Sequence, residues 1–307
     1  MSTALTHFVQ AHSSMIKCSL RRIGPIYGSL KKLSVLKPAL LRICLIAVVL
    51  GTVVASAAPP VIPVENGSLA QAYKIIASKR FVDLTHSFSP VTPVWKGFGQ
   101  ATFSGAADPQ TGKPYTIAKD GFRASFYSMV GQYGTHIDAP AHFDPNGMTV
   151  DEIPLKQMIL PLVIFDMTSM LEKDPNHALT IADIKEWERR HGRVPAGCFA
   201  ALRTDMSRDW KTNPERFKRY PFPGWSFEAI KFLYEQRGIA ANGHESMDTD
   251  ISKTMDSEKW LLTHGHWQIE AMAHLDDVPA TGALVVVAWP KPQRGVGFPA
   301  RVFAILP

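Results

Sequence analysis

The chain has 307 residues, of which 46% are hydrophobic and 20% are charged, as in ordinary globular proteins. Its 33 Lys and Arg against 27 Asp and Glu give a formal net charge of +6. Seven of the basic residues lie in residues 1–57, which carry no acid, so the rest of the chain has 26 basic against 27 acidic residues. This nearly neutral remainder excludes an electrostatic basis for binding nucleic acid or anionic lipid.

The first 57 residues have the three parts of a secretory signal peptide. A basic region precedes an apolar run at residues 43–54, and Ala55-Ser-Ala57 provides a small-residue cleavage site. The run is too short for a comfortable membrane span, and an uncleaved anchor is the alternative. We therefore predict a periplasmic or secreted protein that is cleaved near Ala57 and Ala58 and has no stable membrane association afterwards.

The chain after this leader is predicted to form one domain at residues 68–307. Residues 58–67 contain three Pro and a Gly, which predicts a flexible linker. Two of the three cysteines lie in the leader, so an exported protein has only Cys198 and no internal disulfide. Because Cys198 begins an apolar run, we predict a buried, unreactive thiol.

The elements of this domain alternate between strands and helices. A helix is predicted at residues 69–80, and two more begin after the capping residues Thr180 and Ser226 and end near Gly192 and Gly238. Apolar, β-branched and aromatic runs predict strands at residues 81–86, 123–130, 160–167, 198–204, 238–242, 267–272, 283–289 and 301–306. The mixture predicts a single mixed-sheet α/β domain.

Residues 132–143 carry three metal-competent side chains within seven positions, namely His136, Asp138 and His142. The strand predicted upstream is expected to run into this segment. An extended chain alternates its side chains between two faces, which places Gln132, His136 and Asp138 on one face. Pro140 then bends the chain, so that His142 returns toward the other three. We predict a metal site here.

Two imidazoles and a carboxylate suit a divalent ion such as Zn²⁺ or Mn²⁺ and leave coordination positions open for water and substrate. A metal lowers the pKa of its bound water, and a nearby histidine that is not a ligand is well tuned to move the proton. The alternative is that the histidines are ordinary hydrogen-bonded polar residues and that Asp138 is a turn former.

The segment Gly-Thr-His-Ile-Asp-Ala-Pro-Ala-His-Phe at residues 134–143 resembles the signature of the metal-dependent cyclase family, which includes bacterial kynurenine formamidases and isatin hydrolases. Residues 83–95 resemble the family's opening strand and substrate loop, and residues 261–262 with 269–270 resemble its late ligand segment. The resemblance implies a swivelling β/β/α fold and a homodimer or higher oligomer. The resemblance also implies that His136, Asp138 and Glu270 are metal ligands. It implies that His142 donates and accepts the proton and that Trp95 forms a wall on the substrate side.

Two positions depart from the formamidase pattern. Gln132 and Glu258 replace two histidines that help to hold a two-metal centre in that branch. An amide oxygen is a weaker ligand than imidazole for Zn²⁺, and Glu258 offers a harder oxygen donor. We therefore expect one Mn²⁺ or Zn²⁺ per chain, with Gln132 as a further ligand, as in the single-metal members.

Further side chains are predicted to contact the substrate. Trp95 and Phe143 are suited to stack on an aromatic ring. His244 and Asp248 follow a predicted strand where the resemblance places pocket residues, although a surface turn explains them equally well. His244-Glu245 lacks the second histidine of a zinc-protease helix, which excludes that class of enzyme.

Together these features predict a metal-dependent hydrolase that opens an amide, cyclic amide or related acyl bond of a small, aromatic molecule. Two alternatives remain open. One is an exported protein that binds metal or ligand without catalysis, which would not need His142. The other is a metal-dependent lyase or dehydratase, which would use the same metal and base without consuming water.

Overall fold

The computed structural model describes residues 67–251 and 253–307. The predicted signal peptide and residues 58–66 of the predicted linker lie outside the described residues. Within them, no helix is long and apolar enough to cross a membrane.

The described chain contains thirteen strands. Their bounds are β1 Phe81–Asp83, β2 Thr102–Gly105, β3 Ser125–Ser128, β4 His136–Asp138, β5 Ile159–Asp166, β6 Ala178–Leu179, β7 Phe199–Arg203, β8 Gly224–Trp225, β9 Ala241–His244, β10 Gln268–Glu270, β11 Ala283–Ala288, β12 Gly297–Pro299 and β13 Arg301–Ile305. Nine of them form one sheet in the order β1-β13-β11-β5-β7-β9-β10-β4-β12. The four strands from β5 to β10 in that order are parallel, and the other pairs are antiparallel. The predicted mixed-sheet α/β fold is confirmed.

The α-helices of the described chain are mostly short. Their bounds are α1 Leu69–Ala77, α2 Ile117–Asp120, α3 Thr168–Leu171, α4 Ile181–His191, α5 Asp209–Thr212, α6 Phe227–Phe232 and α7 Asp256–Thr263. A π-helical turn, Leu233–Arg237, continues α6 to Gly238. Short 3₁₀ helices lie at Pro140–His142, Leu155–Met158, Met206–Arg208, Pro214–Lys218 and Leu275–Asp277.

The α4 helix shows how local sequence sets an element. The Thr180 side chain accepts from the backbone of Asp183, and the Asp183 carboxylate accepts from the backbone of Thr180, which is a complete capping box. Gly192 ends the helix. Between these ends, Ile184 and Trp187 share one face and are buried against the sheet, where the Trp187 indole donates to the carbonyl of Ile164 at 2.8 Å.

Both faces of the central sheet are buried. Along β5, Leu162 and Ile164 enter one apolar cluster, while Val163 and Phe165 enter the cluster on the opposite face. The residues of β7 alternate between the same two clusters. Each fully buried large side chain contributes about 1.5–3 kcal/mol, so the parallel centre of the sheet is a rigid base for what lies at its end.

The chain leading into the metal motif differs from our prediction. β3 does not run into β4 but pairs with β2 in a separate two-stranded sheet. Gly134 adopts a φ of +66°, a left-handed conformation that breaks the extended chain before β4. Gln132 therefore does not share a strand face with His136 and Asp138, and it reaches the site from a turn.

Candidate metal centre

Strand pairing brings three predicted ligands together. β4 lies between β10 and β12, and in the register of β10 with β4, Glu270 is opposite His136. Cross-strand neighbours of this kind have their side chains within contact distance on the same face. His136 and Asp138 are two residues apart on β4, so all three side chains project to one side. All three residues are buried: His136 is 2% exposed, Asp138 1% and Glu270 5%.

The three side chains converge on one point. The His136 Nε2 atom lies 3.6 Å from Asp138 Oδ1 and 3.6 Å from Glu270 Oε2, and one ligand atom from each side chain lies within 4.8 Å of the others. The other ring nitrogen, Nδ1, lies 2.9 Å from the Gly134 carbonyl oxygen. Because that bond places the ring proton on Nδ1, the Nε2 lone pair faces the two carboxylates.

The residues fit a divalent cation. Asp138 Oδ1 is buried without a hydrogen-bond partner. Burial and the nearby charges of Glu258 and Asp138 raise the pKa of Glu270 well above its usual range. Two carboxylates forced together in this way need a positive charge between them, and one imidazole with two carboxylate oxygens suits Zn²⁺ or Mn²⁺.

Neighbouring polar side chains contact the candidate ligands. The Gln268 amide nitrogen donates to Glu270 Oε1 at 3.1 Å and to Asp138 Oδ2 at 3.3 Å. His244 Nε2 lies 3.3 Å from Glu270 Oε1. Burial, together with the charge of His136, lowers the pKa of His244 to about 3, so this imidazole is neutral and donates to the carboxylate. Sequence reasoning missed Gln268, although its position two residues before Glu270 on β10 placed it on the same face.

His142 lies beside this group rather than within it. It ends the 3₁₀ turn Pro140–His142, where Pro140 occupies the first helical position. Its Nδ1 atom is 3.5 Å from the Gln132 amide nitrogen, a long contact that holds the ring only loosely. The Gln132 amide in turn packs against Gly297 of β12, where a Cβ would come within 2.2 Å of it.

These residues line one pocket with a cavity volume of about 260 Å³. The three candidate ligands, together with His142 and Gln132, form its polar side. Its remaining lining residues are Trp95, Phe98, Phe143, Met247, Met255 and Glu258. Phe98, Met247 and Met255 were missed by sequence reasoning, because nothing local to them shows which loops meet across the pocket.

His244 and Asp248, which we predicted to contact substrate, do not line this pocket. Both are fully buried. Asp248 accepts hydrogen bonds from the Tyr220 hydroxyl and the Asp250 backbone, and burial raises its pKa to about 7. The structure places Trp95 and Phe143 in the pocket wall, where an aromatic ring can contact them. All four substrate contacts stay predictions.

The chain is similar to several known proteins. Isatin hydrolase of Roseibium aggregatum is 29% identical over 207 residues, which cover 61% of this chain and 76% of that relative. The solved structure of isatin hydrolase A from Labrenzia aggregata, bound to benzyl benzoate, is 30% identical with a TM-score of 0.69, covering 78% of this chain and 98% of that one. A structure described as a potential metal-dependent hydrolase with cyclase activity is 25% identical with a TM-score of 0.57, covering 74% and 98%.

The fold, the buried ligand group and these similarities define a metal-dependent hydrolase. A family model described as "Putative cyclase" matches residues 82–251, more than half of the chain. The chain belongs to this cyclase family, as the motif at residues 134–143 predicted.

Proposed function

We propose that the protein hydrolyses the amide C–N bond of a small, uncharged aromatic molecule, with isatin and related cyclic amides as the first candidates. The proposal rests on the position of His142, which faces the same aromatic-walled pocket as the buried ligand group. The similarity to isatin hydrolases supports a cyclic amide as substrate.

The arrangement of the side chains suggests a separate role for each in hydrolysis. His136, Asp138 and Glu270 would hold a divalent ion, which when bound supplies a Lewis acid for the substrate carbonyl and an acidified water. His142 takes the proton of the attacking water and returns it to the departing nitrogen as the C–O bond forms and the C–N bond breaks.

The rest of the pocket positions the substrate. The Gln132 amide nitrogen contacts His142 Nδ1 at the long distance of 3.5 Å and restrains the ring only loosely. Trp95 and Phe143 contact the aromatic ring and exclude water, which strengthens each electrostatic interaction at the reacting carbonyl.

Hydrolysis in ¹⁸O-labelled water tests this function. The purified, metal-loaded protein is expected to open isatin or a related aromatic lactam and to place one ¹⁸O atom in the new carboxylate. An aryl formamide and an aromatic lactone serve as competing substrates in the same assay. If the metal-loaded protein hydrolyses none of the three substrates, the proposal is contradicted. A product that carries no ¹⁸O label would indicate elimination instead of hydrolysis.

The same preparation tests the proposed metal content. We propose a single ion per chain and favour Mn²⁺ or a similar oxygen-tolerant ion, because the ligand group offers two carboxylates and one imidazole. Elemental analysis is expected to give about one equivalent of metal. Two tightly held zinc ions per chain would overturn the single-metal proposal and leave the hydrolase proposal intact.

We also propose that the leader is removed and that the protein acts outside the cytoplasm. The basic region, the apolar run and the Ala-x-Ala site of residues 1–57 support this. Intact mass of protein from the native host is expected to correspond to a chain that begins at or near Ala58. A full-length chain retained in the membrane fraction would show that the segment is an anchor.

A homodimer or higher oligomer is proposed as the working assembly. Large apolar side chains are exposed in and just before β3, which pairs with β2. They are Ile117, Phe122, Phe126 and Tyr127, each more than half exposed, and such a patch supports an interface between subunits.

A further inference from the structure

Glu258 is a buried acid that the mechanism above does not use. It lies in the first turn of α7, is 5% exposed and lines the pocket. In the part of the chain that the structure describes, no hydrogen bond or ion pair joins its carboxyl group to another residue, while its backbone nitrogen donates to Asp250 at 3.1 Å.

Other buried acids nearby have partners for their carboxyl groups. Glu245 accepts from the hydroxyl of Ser207 at 2.6 Å and from the backbone and hydroxyl of Thr204. Asp250 accepts from the backbone of Ser257, and Asp248 accepts from Tyr220. A buried polar group without a partner costs about 1–3 kcal/mol. The carboxyl group of Glu258 therefore has hydrogen-bonding capacity that faces the pocket and remains available to a ligand.

The position of Glu258 indicates which part of a substrate it meets. The α7 helix packs against the 3₁₀ turn Pro140–His142, so Glu258 and His142 enter the pocket from adjoining elements. Glu258 lines the same pocket as Asp138 and Glu270. Burial, followed by the charge of Asp138, raises the pKa of Glu258 well above the usual range. Glu258 thus lines the pocket together with His142 and the candidate ligands, where the proposed amide would bind.

The pocket also restricts the charge of its ligand. Among the described residues that line it, none is a lysine or arginine, and Glu258 is a third acid beside two ligand carboxylates. A substrate carboxylate that lies beside Glu258, away from the proposed ion, would meet this acid without a lysine or arginine to pair with, which disfavours binding.

We propose that Glu258 binds the substrate by accepting a hydrogen bond from the N–H group of the scissile amide, so that the enzyme selects uncharged secondary amides over N-alkylated, ester and carboxylate-bearing analogues. This inference rests on the proposed amide hydrolysis and adds the recognition of the nitrogen side of the bond. A carboxyl group keeps an acceptor oxygen in either protonation state, so this contact does not depend on the charge of Glu258.

The proposal is tested with a matched pair of aromatic lactams, one with a free N–H and one N-methylated, and with the corresponding lactone. Wild-type kcat/KM is expected to favour the N–H lactam over the N-methyl lactam by about 10- to 100-fold, because the N-methyl group leaves the buried carboxyl group of Glu258 without a hydrogen-bond partner. Glu258→Gln keeps the size and an acceptor oxygen and should retain the preference. Glu258→Leu keeps the approximate size without an acceptor and should reduce the preference to about threefold or less.

Met255→Leu is the control, because it changes an apolar lining residue of the same pocket and should leave the preference unchanged. Metal content of each variant is measured alongside. Loss of a metal equivalent in Glu258→Leu would overturn the proposal by making Glu258 a ligand. Equal hydrolysis of both lactams by the wild type, or an unchanged preference in Glu258→Leu, would also overturn it while leaving amide hydrolysis intact. If the metal-loaded wild type hydrolyses neither lactam, both proposals fail.

Discussion

His142→Ala is expected to lower turnover by about 10²- to 10⁴-fold while metal content stays close to that of the wild type, because a positioned general acid–base group contributes about that much. His142 lies on the 3₁₀ turn after β4 and outside the group of His136, Asp138 and Glu270, so its removal takes no ligand from that group. Steady-state kinetics and elemental analysis on the same sample measure both quantities.

His191→Ala provides the matched control, because this exposed histidine at the end of α4 is remote in sequence from the pocket residues. It should match the wild type in turnover and in metal content. If His142→Ala instead loses its metal, His142 is a ligand, and the proton must be moved by another residue of the site.

His136→Ala is expected to have the opposite signature, with loss of metal first and loss of activity as its result. The variant loses the Nε2 atom that faces Asp138 and Glu270, and it leaves two buried carboxylates without the imidazole between them. Substitution of a residue that only supports a metal ligand lowers metal affinity by about 10- to 100-fold. The loss of affinity in His136→Ala should be larger, because a ligand itself is removed. Titration calorimetry with Mn²⁺ or Zn²⁺ measures this directly, and a large excess of metal should restore part of the activity.

Gln268→Leu gives a graded comparison for this experiment. It removes the amide that donates to Glu270 and Asp138 but keeps all three ligands, so its affinity should lie between those of the wild type and His136→Ala. Stoichiometric, tight metal binding by His136→Ala would show that the ion is held elsewhere.

The sequence predicted best those elements that depend on neighbouring residues. The strands predicted at residues 160–167, 198–204, 283–289 and 301–306 correspond within one residue at each end to β5, β7, β11 and β13. Continuous apolar runs identify such strands, because both faces of the sheet are buried. The α4 helix was placed equally well, since its capping box and terminal glycine are local signals.

Elements that depend on distant partners were either not predicted or predicted with wrong bounds. β12 has only three residues, Gly297–Pro299. It forms because it pairs with β4, which lies more than 150 residues earlier in the chain. The strand predicted at residues 238–242 begins three residues late, at Ala241, because its pairing with β7 and β10 decides its bounds. Short strands are set by tertiary pairing more than by propensity.

The candidate site divides in the same way. His136, Asp138 and His142 were predicted because three metal-competent side chains lie within seven positions. The family resemblance added Glu270 and Trp95. The supporting amide of Gln268 and the pocket residues Phe98, Met247 and Met255 come together from separate loops and strands, which no short segment reveals. The role of Gln132 as a metal ligand stays a prediction, and its amide nitrogen lies 3.5 Å from His142 Nδ1.

The register of β4 between β10 and β12 also fixes when the protein can acquire its ion. Glu270 meets His136 only after strands separated by more than 130 residues have paired, and β12 comes almost at the end of the chain. A partly synthesised or unfolded chain therefore has the ligands but no chelate, and metallation is a late event that follows closure of the sheet. If the proposed leader takes the chain across a membrane before it folds, the metal pool of the destination compartment selects the ion, whatever the metal content of the cytoplasm in which the chain was made.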